Sequence, residues 1–107
     1  MSTQNVKLVI FVPLTHTDIV REAMGKAEAG VIGNYTHCTF STRGVGRFKP
    51  LEGANPHIGE VGKIEEVEEE RIEVTCERAK LDGIIKAIKE VHPYDEVAYD
   101  VYPLESL

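Results

Sequence analysis

The fold of this chain is decided by the stretch Lys7-Leu-Val-Ile-Phe-Val12, in which every residue after the lysine is apolar. A short run that is apolar on both faces and rich in β-branched and aromatic residues is typical of a central β-strand. Pro13 ends the run, and the apolar residues after it recur at helical spacing. The stretch therefore predicts a strand that leads directly into a helix.

The first helix is predicted to open at Thr15 and to stop at Gly30. Thr15 and Asp18 have the spacing of a capping box, in which the Thr side chain caps the first turn. Leu14 and Ile19 are spaced to form a hydrophobic staple around that cap. An apolar stripe follows at helical spacing, and a glycine is the usual residue just past a helix end.

The middle of the chain predicts mostly extended structure. The expected elements are a strand over 36–42, a tight turn over 43–46, a short return strand over 47–49, an ordered loop over 50–56 and extended chain over 58–67. The run Glu68-Glu-Glu70 predicts the next turn. The segment 71–76 then alternates in polarity, which places Ile72, Val74 and Cys76 on a buried face. Cys76 is accordingly predicted to be a buried, inert thiol.

A second helix is predicted over 79–91 and a last strand over 97–101, so the element order predicts an α+β fold. The expected architecture is a ferredoxin-like split β-α-β sandwich, with one antiparallel sheet and two helices on one face. An extra β-hairpin insertion and loop is expected at about 33–57, within a single domain over 1–107. The first and last strands offer apolar residues to both faces, which predicts burial of the second face by self-association.

Composition limits the classes of function. The chain has 107 residues, of which 42% are hydrophobic and 28% charged, as in an ordinary globular domain. A net charge of −6 argues against binding to nucleic acid or to an anionic membrane surface. The longest apolar run is too short to span a bilayer, and the polar N-terminus lacks the apolar segment of a signal peptide. Two cysteines without framework spacing fit a reducing compartment, so we expect a cytoplasmic protein.

Several long motifs carry a resemblance to a known family. They are Gly33-Asn-Tyr-Thr-His-Cys-Thr-Phe-Ser-Thr42, Gly46-x-Phe-x-Pro-Leu-Glu-Gly-Ala-Asn-Pro56, Ile58-Gly-Glu-Val-Gly62 and His92-Pro-Tyr-Asp-Glu-Val-Ala-Tyr-Asp100. Together they resemble the central insert domain of the Nif-three-like (YqfO-type) proteins. The second half also resembles the CutA-type divalent-ion tolerance proteins, through Gly62-Lys-Ile-Glu-Glu66 and His92-Pro-Tyr94.

The resemblance implies a fold, an assembly and a limit on function. Both families are related in fold to the PII-like signalling proteins, which are trimers, so a PII/CutA-like homotrimer is implied. In full-length Nif-three-like proteins the two-metal site lies in the flanking domain. This chain is too short to carry that domain, so the resemblance implies a stand-alone version of the insert, to which a hydrolase or cyclohydrolase label does not transfer.

Three residues are the candidate metal ligands, namely His37, Cys38 and His92. Imidazole and thiolate suit zinc and copper, so a divalent ion of either metal is the cofactor to consider. Neighbours on a strand point to opposite faces, so only one of His37 and Cys38 can join His92 or Glu60 at a single ion. The alternative is that Cys38 is a small core residue and His37 a surface polar group.

Four residues are candidates for a small-molecule site. Glu52 and Asn55 belong to a loop whose polar groups can hold a small ligand, and Tyr94 and Asp95 follow His92 at the corner before the last strand. The helix macrodipole favours the charged form of His92 there, which makes it a possible acid–base or ligand group. The alternatives are that the loop is only an ordered turn and that His92 only caps carbonyls. We expect His37, this loop and this corner to meet in one cleft that a neighbouring subunit completes.

Three hypotheses for function follow. The first is a non-catalytic, oligomeric binding or regulatory module that holds a metal ion or small metabolite at subunit boundaries. The second is a metal-assisted hydrolase that uses His37 and His92. Only isolated residues, and no assembled set of catalytic groups, support this hypothesis. The third is a protein-interaction adaptor.

Overall fold

A computed structural model describes residues 4–107 and contains four strands and two helices. The elements are β1 (Asn5–Pro13), α1 (Thr17–Lys26), β2 (Phe40–Phe48), β3 (Glu65–Glu77), α2 (Leu81–Val91) and β4 (Tyr99–Pro103). The strands form one antiparallel sheet in the order β2-β3-β1-β4. This order is that of the predicted ferredoxin-like split β-α-β sandwich, so the α+β fold class is confirmed.

The core lies between the sheet and the two helices. Every second residue of β1 is fully buried on the helix side, as are the alternating apolar residues of β3. The helices contribute their apolar stripes to the same cluster, with Val20 and Met24 from α1 and Leu81, Ile84 and Ile88 from α2. Cys76 is buried among them and burial raises the pKa of its thiol, so the prediction of a buried thiol is confirmed.

The register leaves part of the β2–β3 pair without a partner on β1. β1 pairs with β3 from Asn5↔Glu77 to Pro13↔Glu69, whereas β2 pairs with β3 as far as Phe48↔Glu65. The first four residues of β3 and the last residues of β2 therefore project past the end of β1 as a two-stranded arm. The domain is accordingly elongated, with principal extents of 49 × 23 × 23 Å.

Two predicted turns are wrong. The segments 43–46 and 68–70 both lie inside continuous strands, so the separate hairpin expected at about 33–57 is instead the second half of β2. The glycines of β2 lack a positive φ and sit in the ladder opposite β3, because strand pairing overrides a local glycine signal. The connection between β2 and β3 is the loop over 49–64.

The predicted capping box is also absent. Residues Leu14–His16 form a short 3-10 turn, and α1 begins only at Thr17, so Thr15 stands outside the first helical turn. The Thr15 Oγ1 lies 2.8 Å from His16 Nδ1 instead of capping a backbone amide. The first helix ends at Lys26, earlier than expected, and a left-handed Glu28 (φ 73°) follows it.

The open face of the sheet is less apolar than β1 alone predicts. Val9 points to this face and is nevertheless fully buried. Glu73 lies opposite it and is 3.5 Å from both the Lys7 ammonium and the Arg71 guanidinium. The Arg71 guanidinium also stands 5.9 Å from the centre of the Phe11 ring. A cross-strand charge network therefore covers the middle of this face within one chain.

No helix within residues 4–107 has the length and apolar content needed to cross a membrane.

Candidate ligand-binding cleft

A cleft of about 360 Å³ lies in the angle between the projecting arm, the 49–64 loop and the corner that joins α2 to β4. Its apolar walls are formed by Phe11, Phe48, Pro50, Leu51, Ala54, Pro56, Ile58 and Ala98. Its polar lining is formed by Arg47, Lys49, His57, Glu69, Tyr94, Asp95 and Glu96. A mainly apolar pocket of this size with a few convergent polar groups is typical of a small-molecule site.

The loop that forms one wall is held closed by its own backbone. The Gly62 amide donates to the Pro50 carbonyl at 2.8 Å, and the Ala54 amide donates to the Leu51 carbonyl at 3.0 Å. Gly53 has a φ of 96°, a left-handed conformation that a side chain disfavours. This requirement explains the glycine in the Glu-Gly-Ala-Asn-Pro sequence, and the loop is thereby an ordered wall of the cleft.

The loop is also tied to the opposite wall. The backbone amide of Asn55 donates a hydrogen bond of 2.9 Å to Asp95 Oδ2. This bond joins the middle of the loop to the corner after α2, although the two residues are 40 positions apart in sequence. Two of the three predicted site segments therefore meet at the cleft.

His92 organises the corner and uses both ring nitrogens to do so. Its Nε2 lies 2.8 Å from the Phe11 carbonyl oxygen, which can only accept, so Nε2 carries the proton. Its Nδ1 accepts the backbone N–H of Tyr94 at 3.2 Å, so the ring is held as the neutral Nε2–H tautomer. His92 is only 6% exposed, and this burial lowers its pKa. The predicted macrodipole stabilisation of the charged form is therefore wrong, because the cost of desolvation dominates.

A buried carboxylate stands at the floor of the cleft. Glu69 is 8% exposed, and its Oε2 accepts a hydrogen bond of 2.8 Å from the Tyr94 hydroxyl. Burial and the neighbouring carboxylate both raise the pKa of Tyr94 well above its usual value. The hydroxyl therefore keeps its proton and acts as a fixed donor to Glu69.

The position of this carboxylate depends on a glycine of β2. A Cβ atom placed on Gly46 would stand 1.9 Å from Glu69 Oε1, whereas one placed on Gly44 would meet nothing within 4 Å. The side chain of Glu69 thus leans across the bare backbone of the neighbouring strand at Gly46. Of the two glycines that suggested a turn in the sequence, Gly46 therefore makes room for the Glu69 side chain, whereas Gly44 borders open space.

Aromatic rings line the cleft around Tyr94. The Tyr94 ring centre lies 6.0 Å from that of Phe48, 6.4 Å from that of His57 and 4.9 Å from that of His92. His57 is in turn 5.7 Å from His16, in an edge-to-face arrangement. The pairs have the spacing at which aromatic rings attract one another.

The three predicted metal ligands do not meet. His37 packs against Gly25 and lies 3.6 Å from a carboxylate oxygen of Glu22, at the far end of α1 from the cleft. Cys38 lies beside it before β2, with its Sγ 3.9 Å from the Thr36 carbonyl. His37 has a φ of 60° and precedes the strand, so the alternation expected of these neighbours does not apply. Within one chain His37 therefore does not reach the cleft, and its convergence with the cleft across a subunit boundary stays a prediction.

Across residues 4–107, no group of three or more His, Cys, Asp or Glu side chains is arranged to hold a metal ion. His92 in particular has no free nitrogen lone pair, because its Nδ1 already accepts a hydrogen bond and its Nε2 is protonated.

Three of the four residues predicted for a small-molecule site lie at the cleft or are bonded to it. Tyr94 and Asp95 line the cleft and Asn55 is bonded to Asp95, whereas Glu52 is exposed and outside the lining. Sequence reasoning missed Glu69 and His57. The only sequence signal for Glu69 was that it alternates along the strand with Arg71 and Glu73, on the same face. The prediction of a turn over 68–70 hid this alternation.

The fold defines a class, namely the ferredoxin-like domains, and solved structures of CutA and PII-like proteins share it. The periplasmic divalent cation tolerance protein CutA from Archaeoglobus fulgidus superposes with a TM-score of 0.71 at 18% identity, covering 95% of this chain and 85% of that one. The PII-like protein CutA from Nostoc superposes with a TM-score of 0.67 at 13% identity. At these identities the likeness concerns the fold alone.

Sequence similarity gives a more particular relationship. The chain is 55% identical over 98 residues to a "GTP cyclohydrolase 1 type 2 homolog" of Halalkalibacterium halodurans and 50% identical over 99 residues to that of Bacillus subtilis, covering 92% of this chain and 26% of each relative. A Bacillus cereus protein related to NIF3 superposes with a TM-score of 0.87 at 49% identity, covering 99% of this chain and 27% of that one. No protein-family model matches the chain.

These comparisons confirm the resemblance to the Nif-three-like proteins. The chain spans only about a quarter of the length of these relatives, as the 26% coverage states. The similarity is therefore to one segment of these relatives.

Proposed function

We propose that this domain is a non-catalytic binding module, which assembles as a homo-oligomer and holds a small metabolite in the cleft beside Tyr94. The observation that carries the proposal is the cleft itself. Four parts of the chain that are distant in sequence build it, and a buried carboxylate with a fixed Tyr donor stands at its floor. Buried polar groups are costly, so a pair kept at the floor of an apolar cleft suggests recognition.

The proposal of an oligomer rests on exposed apolar side chains. Of the twelve large hydrophobic residues that are exposed within residues 4–107, eight lie between positions 31 and 64. They are Val31, Ile32, Tyr35, Phe40, Val45, Leu51, Val61 and Ile64. A concentration of this kind is typical of a protein–protein interface, and burial against further copies of the chain explains it. A trimer is the assembly that the resemblance implies.

Leu51 belongs both to this exposed set and to the lining of the cleft. The proposed interface and the cleft are therefore contiguous, which supports a site at a subunit boundary. A metal ion at that boundary would need ligands from more than one chain, since the described residues of one chain supply no cluster. A small metabolite needs no such cluster, and we therefore favour it.

The test fills the cleft without touching its polar floor. In Ala54→Phe the new ring occupies the cleft, whereas in Ala79→Phe it lies at an exposed position next to the opposite end of β3. We expect a screen of small aromatic fragments, followed by amide chemical shifts, to give hits at Ala54, Tyr94 and Ala98 in the wild type. Ala79→Phe should keep these hits and Ala54→Phe should lose them.

Hits that avoid the cleft, or that survive in Ala54→Phe, would contradict the proposal. A folded oligomer with no hits of any kind would favour the interaction-adaptor hypothesis, which the exposed apolar segment over 31–64 also supports.

A further inference from the structure

We propose, building on the proposed function, that the ligand is a flat nitrogen heterocycle whose N–H groups donate to the Glu69 carboxylate. The inference concerns the chemical class of the ligand and rests on three features of the cleft: an unused acceptor, the charge of the lining and the shape of the walls.

The first feature is the unused acceptor. Glu69 Oε2 is bonded to the Tyr94 hydroxyl, but Oε1 accepts no hydrogen bond and has no cation within 4 Å among the described residues. No buried side-chain oxygen among the described residues lacks a partner, so the unbonded Oε1 is reached by solvent from the cleft and is open to a ligand. A donor from the ligand would satisfy Oε1, and a charged N–H donor would gain the most.

The second feature is the charge of the lining. Glu69, Asp95 and Glu96 supply three carboxylates, against the two cations Arg47 and Lys49. Arg47 is already paired with Glu66, with an Nη2 to Oε2 distance of 3.1 Å. The lining therefore favours a neutral or cationic ligand and disfavours an anionic one.

The third feature is the shape of the walls. Tyr94, Phe48 and His57 surround the cleft with rings, and Pro50 and Pro56 add two further flat, apolar surfaces. Rings of this kind stack on a planar ligand, and the attraction increases when the ligand is cationic. The cleft volume of about 360 Å³ is at the lower end of the range for small-molecule sites, which suits one fused ring system.

The test compares three probes of nearly the same shape. They are 2-aminoquinoline, which presents N–H donors on one edge, 2-methylquinoline, which lacks the amino donors, and quinoline-2-carboxylate, which is an anion. We expect wild-type protein to bind 2-aminoquinoline at least about tenfold more tightly than either of the others, because a hydrogen bond to a charged group contributes that much. Titrations followed by the amide signals of Gly46 and Tyr94 measure the three affinities.

Two variants locate the preference. Glu69→Gln keeps the size of the side chain and an oxygen to accept from Tyr94, but it removes the charge. Glu68→Gln removes the same charge from the neighbouring exposed position, which faces the other side of β3. We expect the preference to disappear in Glu69→Gln and to persist in Glu68→Gln.

The outcomes separate the two proposals. Equal binding of the three probes by the wild type, tighter binding of the carboxylate, or an unchanged preference in Glu69→Gln would overturn the ligand class and leave the cleft as a binding site. The wild-type comparison stands even if a variant fails to fold. Failure of every probe to shift the cleft amides would instead contradict the proposed function.

Discussion

His92 joins three parts of the molecule through one imidazole ring. Its Nε2–H donates to the carbonyl of Phe11 in β1 in either protonation state, whereas its Nδ1 accepts the amide of Tyr94 at the corner only when the ring is neutral. Protonation would turn Nδ1 into a donor that faces the Tyr94 N–H. The ring therefore stabilises the conformation of the corner that lines the cleft. This role differs from the acid–base or ligand role that the sequence suggested.

The pH dependence of stability follows from this ring. Burial lowers the pKa of His92 in the folded state, while the Phe11 carbonyl and Glu69 oppose the shift and the nearby His16 and His57 add to it. The unfolded chain therefore binds a proton at higher pH than the folded chain, starting near the ordinary value of 6.5. We expect the free energy of unfolding to fall as pH drops below about 6.5, by at most about 1.4 kcal/mol per pH unit.

Urea unfolding between pH 7.5 and 5 measures this slope, and the NMR titration of the His92 ring measures its pKa directly. His37→Gln is the matched control, because His37 is exposed and distant from the corner, and this variant should keep the slope. A His92 pKa at or above 6.5 would show that the ring is not held neutral by burial.

The strands and helices show which parts of a sequence determine structure locally. The alternation of β3 predicted its buried face at Ile72, Val74 and Cys76 correctly, because core burial outweighs other preferences in such an element. The turn signals failed at Gly44 and at Glu68-Glu-Glu70, where neither segment is part of the core. There the pairing of β2 with β3 decides the conformation, and that pairing depends on residues distant in the chain.

The glycines of β2 provide a prediction at the level of this strand. Gly46→Ala places a methyl group where Glu69 Oε1 now lies, so the carboxylate must shift, and we expect this shift to weaken its hydrogen bond from the Tyr94 hydroxyl. We expect the free energy of unfolding to fall by about 1–3 kcal/mol, because a buried carboxylate loses its donor. Gly44→Ala meets no atom, and we expect it to be neutral or stabilising by up to about 1 kcal/mol.

Thermal and urea unfolding of the two variants make the comparison, since both glycines lie on the same strand and the same face. Equal effects of the two substitutions would mean that Gly46 does not position Glu69.

The whole molecule explains why only half of the site was predictable. Tyr94, Asp95 and Asn55 are polar residues in segments that the sequence predicts to be a corner or a loop. The sequence therefore indicated them as site candidates. Glu69 gains its importance only from the register of β3 against β1 and β2, and His57 only from the path of the 49–64 loop, which brings its ring beside Tyr94. The motif around His37 is distinctive, but in one chain the fold directs this residue to the far end of α1, which the sequence alone does not show.

Assembly is the prediction that belongs to the whole molecule. Light scattering at micromolar concentration should give about three times the monomer mass of 11.9 kDa. Phe40→Glu, at an exposed position of β2, should reduce the mass to that of a monomer without unfolding the domain. Ile19→Glu, at an exposed position of α1, should leave the assembly intact. A monodisperse wild-type monomer would contradict the oligomer.

A crystal structure of the assembled wild-type protein grown with 2-aminoquinoline tests the central claim most directly. We predict density for the ring between Phe48 and Tyr94, with its nitrogen edge facing Glu69 and with at least one contact from a neighbouring subunit. A ring bound elsewhere, or a cleft filled by side chains of the neighbouring subunit, would contradict the claim that this cleft is a ligand site.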